Sequence, residues 1–155
     1  MSKLMSGAPE NDANAKMKPL AVLIGDWTTE ATHPAFPHTI VKGSARFEWL
    51  NGERFLILRS ETEHPDFPDG ISIIGVMEDQ TDLSMQYFDS RGVHRVYQVA
   101  FDGKALEIWR DAADFAQRVT MALSADGSTL RGVWQLNEND QGYRDDLAIT
   151  FRRSR

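Results

Sequence analysis

Charged and aromatic side chains within the strand-like segments are the residues that could bind or transform a small molecule. Arg59, Tyr97 and Arg118 each occur where apolar and polar residues alternate. An unpaired buried charge is unfavourable, so a buried arginine beside a tyrosine tends to bind a carboxylate or a phenol that pairs with it. We therefore expect these three residues to form a polar anchor. The alternative is that strand charges face solvent, and this stays open for Arg59, Glu61, Arg95 and Arg118.

Aromatic residues on several strands could line one cavity together with that anchor. The predicted ligand-binding residues are Trp49, Arg59, Tyr87, Tyr97, Trp109, Arg118 and Trp134. The alternative is that the aromatic rings fill a solid core, in which case the protein would be an interaction module without a pocket.

Four histidines are the candidate metal or haem ligands, and all four are expected at one end of the fold: His33, His38, His64 and His94. Imidazole binds zinc, copper and iron. No two histidines have the His-x-His or His-x3-His spacing, and the chain has no cysteine to assist. We expect no metal and no cofactor, with haem on His33 or His64 as the alternative.

Sequence motifs of common enzymes are missing from the chain. It contains no Gly-x-Ser-x-Gly, P-loop, Gly-x-Gly-x-x-Gly or His-Glu-x-x-His motif. Whether the protein is an enzyme stays open. The enzymatic alternative is a reaction on a bound organic acid, using Tyr97, Arg118, Arg59 and Glu61.

The elements that must position these residues are short strands. Asn-Gly and Asp-Gly pairs separate alternating segments, a pattern that indicates hairpins, and no helical period intervenes. An antiparallel sheet closed into a barrel has no free edges. The prediction is an all-β, up-and-down closed barrel of about ten strands, at 27–33, 39–50, 53–64, 71–78, 83–89, 93–101, 104–110, 115–124, 129–137 and 144–153.

A short helix is predicted before the first strand. Pro19 suits a first helical position and Gly25 suits the residue after the last. Leu20, Leu23 and Ile24 share one helical face, so the helix should plug one end of the barrel. We expect residues 1–14 to be a disordered leader and residues 15–155 to form a single domain.

Connections alternate between short and long, which predicts a closed floor at the Trp27 end and an open mouth at the other. Two predicted mouth loops share the pattern His-Pro-x-Phe-Pro, at residues 33–37 and 64–68. The predicted mouth residues are His33, Phe36, His64 and Phe67. The two phenylalanines could form a paired lid; alternatively, proline ends each strand and phenylalanine packs the loop down.

Bulk composition restricts the partners. The formal net charge of −6 argues against nucleic acid or an anionic membrane as a partner. No apolar run approaches the roughly 20 residues that span a bilayer. Without cysteines or a signal-peptide core, the expected location is the cytoplasm. The expected partner is a small molecule, and a homodimer is left open.

Gly25-Asp26-Trp27, with an arginine late in the last strand, resembles the signature of calycins, the superfamily of lipocalins and fatty-acid-binding proteins. This resemblance implies that Gly25, Trp27 and Arg153 are structural residues, with Arg153 packed over the indole. Arg153 is preferred to Arg152 because it shares the alternation of Leu147, Ile149 and Phe151.

More of the chain resembles small uncharacterised bacterial lipocalin-like proteins. The segments that carry this likeness are residues 87–93, 109–111 and 114–118. Nitrobindin-like haem proteins are similar in shape, but they carry Gly-x-Trp-x-Gly-x-Gly and a late haem-ligating histidine. Here Thr29 and Ala31 replace the second and third glycines, and no histidine follows His94. The enzymatic alternative rests on phenolic acid decarboxylases, which resemble this barrel without sharing a motif.

Overall fold

The computed structural model describes residues 12–154, with side chains from residue 15 onward. The expected leader, residues 1–14, therefore lies outside the described residues except for 12–14, which open the first helix. Within the described residues, neither helix is long and apolar enough to cross a membrane.

Two short helices precede ten strands. They are α1, Asp12–Met17, and a 3₁₀ helix, Lys18–Leu23. The strands are β1 Gly25–His33, β2 Phe36–Trp49, β3 Leu56–Thr62, β4 Gly70–Val76, β5 Leu83–Asp89, β6 His94–Phe101, β7 Ala105–Arg110, β8 Phe115–Leu123, β9 Thr129–Glu138 and β10 Arg144–Arg153.

Each strand pairs with its neighbours in sequence, and β10 pairs with β1, so the sheet closes into an antiparallel barrel. The up-and-down barrel of ten strands is confirmed. Hairpin turn chemistry accounts for much of this order. At the β6–β7 turn, for example, Gly103 has a φ of 91° and the Asp102 carboxylate accepts the N–H groups of Lys104 and Ala105.

The predicted strand boundaries differ most from the structure at the starts of β2 and β3. β2 begins at Phe36 because Phe36 pairs with His33 across a two-residue turn, so the expected loop 34–38 is much shorter. β3 begins at Leu56 because the turn at Asn51-Gly52 continues through Glu53, whose φ is 56°. Turn residues locate a reversal of the chain better than they locate the first paired residue.

The predicted helical plug is present, with different bounds. Met17, Leu20 and Leu23 are completely buried and belong to the same core as Trp27 and Phe47. The plug begins earlier than predicted, because Met17 lies in a polar stretch and only tertiary packing reveals its burial. These side chains fill the floor end of the barrel.

The floor is tied to the seam between the first and last strands. Trp27 pairs with Arg153, whose guanidinium carbon lies 4.2 Å from the centroid of the indole. The Trp27 indole N–H donates to the Leu23 carbonyl at 2.9 Å. Gly25, with a φ of 131°, leaves room for this arrangement, since a Cβ there would lie 3.0 Å from Arg153 Nη1. Arg153 packs on the indole, whereas Arg152 faces out toward Glu30.

Candidate functional site

The mouth half of the barrel contains a cavity of about 320 Å³. Its walls come from inward-facing residues of all ten strands, together with Phe67, Pro68 and Arg91 at the mouth. Most of the exposed lining is apolar, including Val41, Leu58 and Ile108. The sequence left two alternatives, a pocket or a solid core. The cavity at the mouth, above a packed floor, favours the pocket.

Three aromatic rings stand along one side of the cavity. The Tyr87 and Tyr97 ring centroids are 6.2 Å apart with the planes at 85°, and the Tyr97 and Trp134 centroids are 5.8 Å apart at 68°. Edge-to-face packing of this kind holds each ring in one orientation. The cavity therefore has a rigid aromatic wall.

A buried hydrogen bond crosses this wall. The Tyr97 hydroxyl donates to Gln117 Oε1 at 2.8 Å, and both side chains are buried. Burial raises the pKa of Tyr97, while the neighbouring guanidinium groups of Arg95 and Arg110 act in the opposite direction. Tyr97 is thus a neutral donor to Gln117, with two positive charges nearby.

A second polar group, formed by Tyr87, Asp89 and Arg91, lies at the mouth. The Asp89 side chain is completely inaccessible to solvent and accepts hydrogen bonds from the Tyr87 hydroxyl at 2.6 Å and from Arg91 Nη2 at 2.7 Å. Burial alone would raise the pKa of Asp89, but these hydrogen bonds outweigh it and lower the pKa. Burial and the bond to Asp89 raise the pKa of Tyr87. Asp89 is therefore a charged, fully partnered carboxylate.

His33 and Asp146 join the first and last strands at the mouth. His33 Nε2 lies 2.7 Å from Asp146 Oδ1, and His33 Nδ1 accepts the Ala35 N–H at 3.0 Å. A break in register between Asp145 and Ala148 brings both Asp146 and Leu147 to the cavity, as a β-bulge does. Both ring nitrogens of His33 are already occupied, so iron could bind there only after one of these bonds was broken.

The two His-Pro-x-Phe-Pro segments share a turn in which the histidine ring accepts a backbone N–H. His64 Nδ1 accepts the Asp66 N–H at 3.1 Å, as His33 does with Ala35. Each histidine also packs on the phenylalanine three residues later, with ring centroids 5.3 Å apart at Phe67 and 6.2 Å apart at Phe36. The sequence repeat thus encodes a repeated turn.

The structure does not place the two phenylalanines alike. Phe67 lines the cavity, whereas Phe36 belongs to β2, is 57% exposed and does not line it. A symmetric lid of Phe36 and Phe67 does not form in this structure. The histidines also fail to converge, since His38 is exposed and His94 stacks on Phe88 at 4.4 Å on the outer face. Among the described residues, no group of three histidine, aspartate or glutamate side chains could hold a metal ion.

Comparison with known proteins identifies a shared fold. No family model matches the chain, and no curated protein matches it. Among solved structures, Rv2717c from M. tuberculosis is similar, with a TM-score of 0.65 and 16% identity over 90% of this chain and 98% of that one. At this identity the likeness shows the fold alone, a closed antiparallel β-barrel.

The predicted ligand-binding residues divide into two groups. Tyr87, Tyr97 and Trp134 line the cavity. Trp49 packs against the core and does not line the cavity. Trp109 lies on the outward face of β7. The inward face of this strand carries the buried residues Leu106 and Ile108.

The predicted anchor of Arg59, Tyr97 and Arg118 does not form. Arg59 faces outward and pairs with Glu48 at 2.7 Å. Arg118 also faces outward, where its guanidinium lies 3.6 Å from the Tyr143 ring centroid and bonds Gln135. Strand alternation is the reason, because inward Leu58 and Gln117 force their neighbours out. Glu61 is exposed and contributes to the cavity lining, but Arg59 and Arg118 face outward, so the set proposed for an enzyme does not meet in the cavity.

Several polar cavity residues were absent from the predicted ligand-binding set, and strand alternation could have found two of them. Arg95 shares the alternation of inward Tyr97, and Gln117 shares that of Val119 and Met121. Asp146 carried no such signal, because the bulge in β10 breaks the alternation that would have placed it.

Proposed function

We propose that this protein binds a small amphipathic organic molecule inside the mouth half of its barrel. The observation that carries the proposal is the cavity of about 320 Å³, which is apolar over most of its surface and has polar groups that include Tyr97, Gln117, Arg95 and the His33–Asp146 pair. Ligand pockets of proteins are typically concave, about 300–1,000 Å³ in volume, and mostly apolar with a few convergent polar groups.

The distribution of side-chain size supports a cavity that belongs to the fold. At the floor, Trp27, Phe47 and Phe151 meet with ring centroids 6.2–6.4 Å apart and leave the interior filled. Nearer the mouth, Ala31 and Ser72 occupy inward positions and line the cavity. Small inward residues at one end and large ones at the other produce a packed base with a hollow above it.

A pair of substitutions on one strand tests the proposal. Ser72 faces the cavity and is 5% exposed, whereas its neighbour Ile71 faces outward and is 39% exposed. Ser72→Phe should fill the cavity, and Ile71→Phe should leave it open. The measurement is fluorescence titration with anilinonaphthalene sulfonate, with circular dichroism showing that both variants are folded.

We expect the wild type and Ile71→Phe to bind one probe molecule with the same affinity, and Ser72→Phe to lose binding by at least about tenfold. Equal binding by all three proteins, or none by the wild type, would refute the proposal. If Ser72→Phe does not fold, Ala31→Leu fills the same cavity from β1. Native mass spectrometry of freshly purified protein would show whether a small molecule copurifies.

A further inference from the structure

We propose that the ligand is a compact, planar aromatic carboxylate, with its ring against Tyr97 and Trp134 and its carboxylate at Arg95 and Gln117. This inference rests on the proposed function and specifies the class of ligand. Three features of the cavity carry it: an unused amide donor, an unneutralised guanidinium and a rigid aromatic wall.

The amide donor belongs to Gln117. Its side chain lines the cavity and is only 9% exposed, and its Oε1 accepts the Tyr97 hydroxyl at 2.8 Å. Within residues 12–154, its Nε2 has no hydrogen-bond partner although it carries two N–H groups. Among the described residues, Arg54 Nη1 is the one side-chain nitrogen or oxygen that is buried without a partner, so Gln117 Nε2 keeps accessible surface in the cavity and can donate to an acceptor that a ligand brings there.

The guanidinium belongs to Arg95, on the same strand and face as Tyr97. Arg95 lines the cavity, and its Cζ lies 5.0 Å from the centroid of the Phe115 ring. It forms no salt bridge within the described part of the chain, unlike Arg91, which Asp89 neutralises. A guanidinium has donors only and matches a carboxylate in geometry. An anionic acceptor would therefore satisfy Arg95 and Gln117 together.

The aromatic wall and the size of the cavity select the body of the ligand. The Tyr97 ring is held nearly perpendicular to Tyr87 at 85° and steeply inclined to Trp134 at 68°. A planar ring can pack on such a wall by edge-to-face or offset contact. A flexible alkyl chain loses rotamer freedom when it binds, and about 320 Å³ lies at the small end of ligand pockets. A short, rigid ring system suits these conditions best.

Three probes separate the parts of this inference in isothermal titration calorimetry. 2-Naphthoate has the ring and the carboxylate, 2-methylnaphthalene has the ring alone, and decanoate has the carboxylate on a flexible chain. We expect 2-naphthoate to bind at least about tenfold more tightly than 2-methylnaphthalene, as the loss of a hydrogen bond to a charged group predicts. We expect it to bind at least about tenfold more tightly than decanoate as well, because the flexible chain loses rotamer freedom when it binds.

Two variants and a matched control locate the carboxylate. Gln117→Met and Arg95→Met should each weaken 2-naphthoate by about tenfold or more and leave 2-methylnaphthalene unchanged. Arg118→Met removes an arginine from the outer face beside Gln117 and should change neither affinity. Thermal melts establish that each variant is folded, and Gln117→Met alone decides the question if Arg95→Met is unfolded.

The outcomes that overturn the inference are distinct from those that overturn the proposed function. Decanoate binding as tightly as 2-naphthoate would refute an aromatic ligand. Equal binding of 2-methylnaphthalene and 2-naphthoate, or no effect of Gln117→Met, would refute the carboxylate. If none of the three binds while anilinonaphthalene sulfonate still occupies the cavity, this inference fails and the proposed function stands. If that probe also fails, both are wrong.

Discussion

Arg153 lies over Trp27 at 4.2 Å, and the two residues are direct partners across the seam that closes the barrel. The same guanidinium donates to the carbonyls of Val22, Ile24 and Gly127, at 2.6, 2.7 and 3.2 Å. One side chain thus joins the end of the 3₁₀ helix, the first strand, the last strand and the β8–β9 turn. The strands that form the floor also form the walls of the cavity. Contacts that fix the floor therefore also fix the positions of these walls.

Arg153→Met should lower the free energy of unfolding by about 1–3 kcal/mol. The cation–π contact contributes roughly 0.5–2 kcal/mol, and hydrogen bonds from a charged group contribute about as much, reduced here by partial exposure. The control is Arg152→Met on the outer face, where Arg152 makes only a 3.4 Å contact with Glu30. Chemical denaturation of both variants measures the difference, and equal losses would show that the seam contact is not stabilising.

Trp27→Ala should lower the free energy of unfolding by about 3–5 kcal/mol. The indole is 1% exposed, so its removal leaves a cavity beside Phe47 and Phe151 and deprives the Leu23 carbonyl of its donor. Trp109→Ala, which truncates a tryptophan on the outward face of β7, should be less destabilising. Urea denaturation midpoints check both, and a nearly neutral Trp27→Ala would contradict the central role of the floor.

The buried carboxylate of Asp89 should make stability depend on acid pH. Its pKa is lowered in the folded protein from an unfolded value of about 3.9, so the unfolded chain binds the proton more readily. The stabilisation is therefore complete above about pH 4 to 5 and is lost as the pH falls toward the folded pKa.

Asp89→Asn should be less stable than the wild type at pH 7, and the difference should shrink below pH 4. Denaturation midpoints measured from pH 7 to pH 2.5 give that difference directly. Asp79→Asn, at an exposed turn, serves as the control. A difference that stays constant across this range would show that Asp89 does not gain stability from its charged partners.

The neutral imidazole of His33 should carry its proton on Nε2. Its Nδ1 accepts the Ala35 N–H, which leaves Nε2 to donate to the Asp146 carboxylate at 2.7 Å. Long-range ¹H–¹⁵N correlation spectra report the tautomer directly. His64, whose Nδ1 accepts the Asp66 N–H, should give the same pattern. A proton on Nδ1 of His33 would contradict the observed turn.

The class of fold and the position of the floor could be predicted from the sequence because they depend on local signals. Asp-Gly and Asn-Gly pairs need positive φ, alternation fixes which face of a strand is buried, and both act over a few residues. Gly25 and Trp27 at the start of β1, with Arg153 at the end of β10, were placed correctly because closure of the barrel makes those strands neighbours. Tyr87, Tyr97 and Trp134 were placed at the cavity for a related reason, since alternation put large rings on inward faces.

Tertiary structure decided which face of each strand is inward, and so which polar residues enter the cavity. Alternation placed Arg95 on the face of Tyr97 and Arg118 on the face opposite Val119 and Met121, but only closure of the barrel determines which of these faces lines the interior. Once it has closed, Gln117 points inward and Arg118 therefore points outward. The contact of Asp146 with His33 joins residues 113 positions apart in the chain, and the packing that buries Met17 joins helix and barrel. Long-range packing of this kind leaves no periodic trace in the sequence.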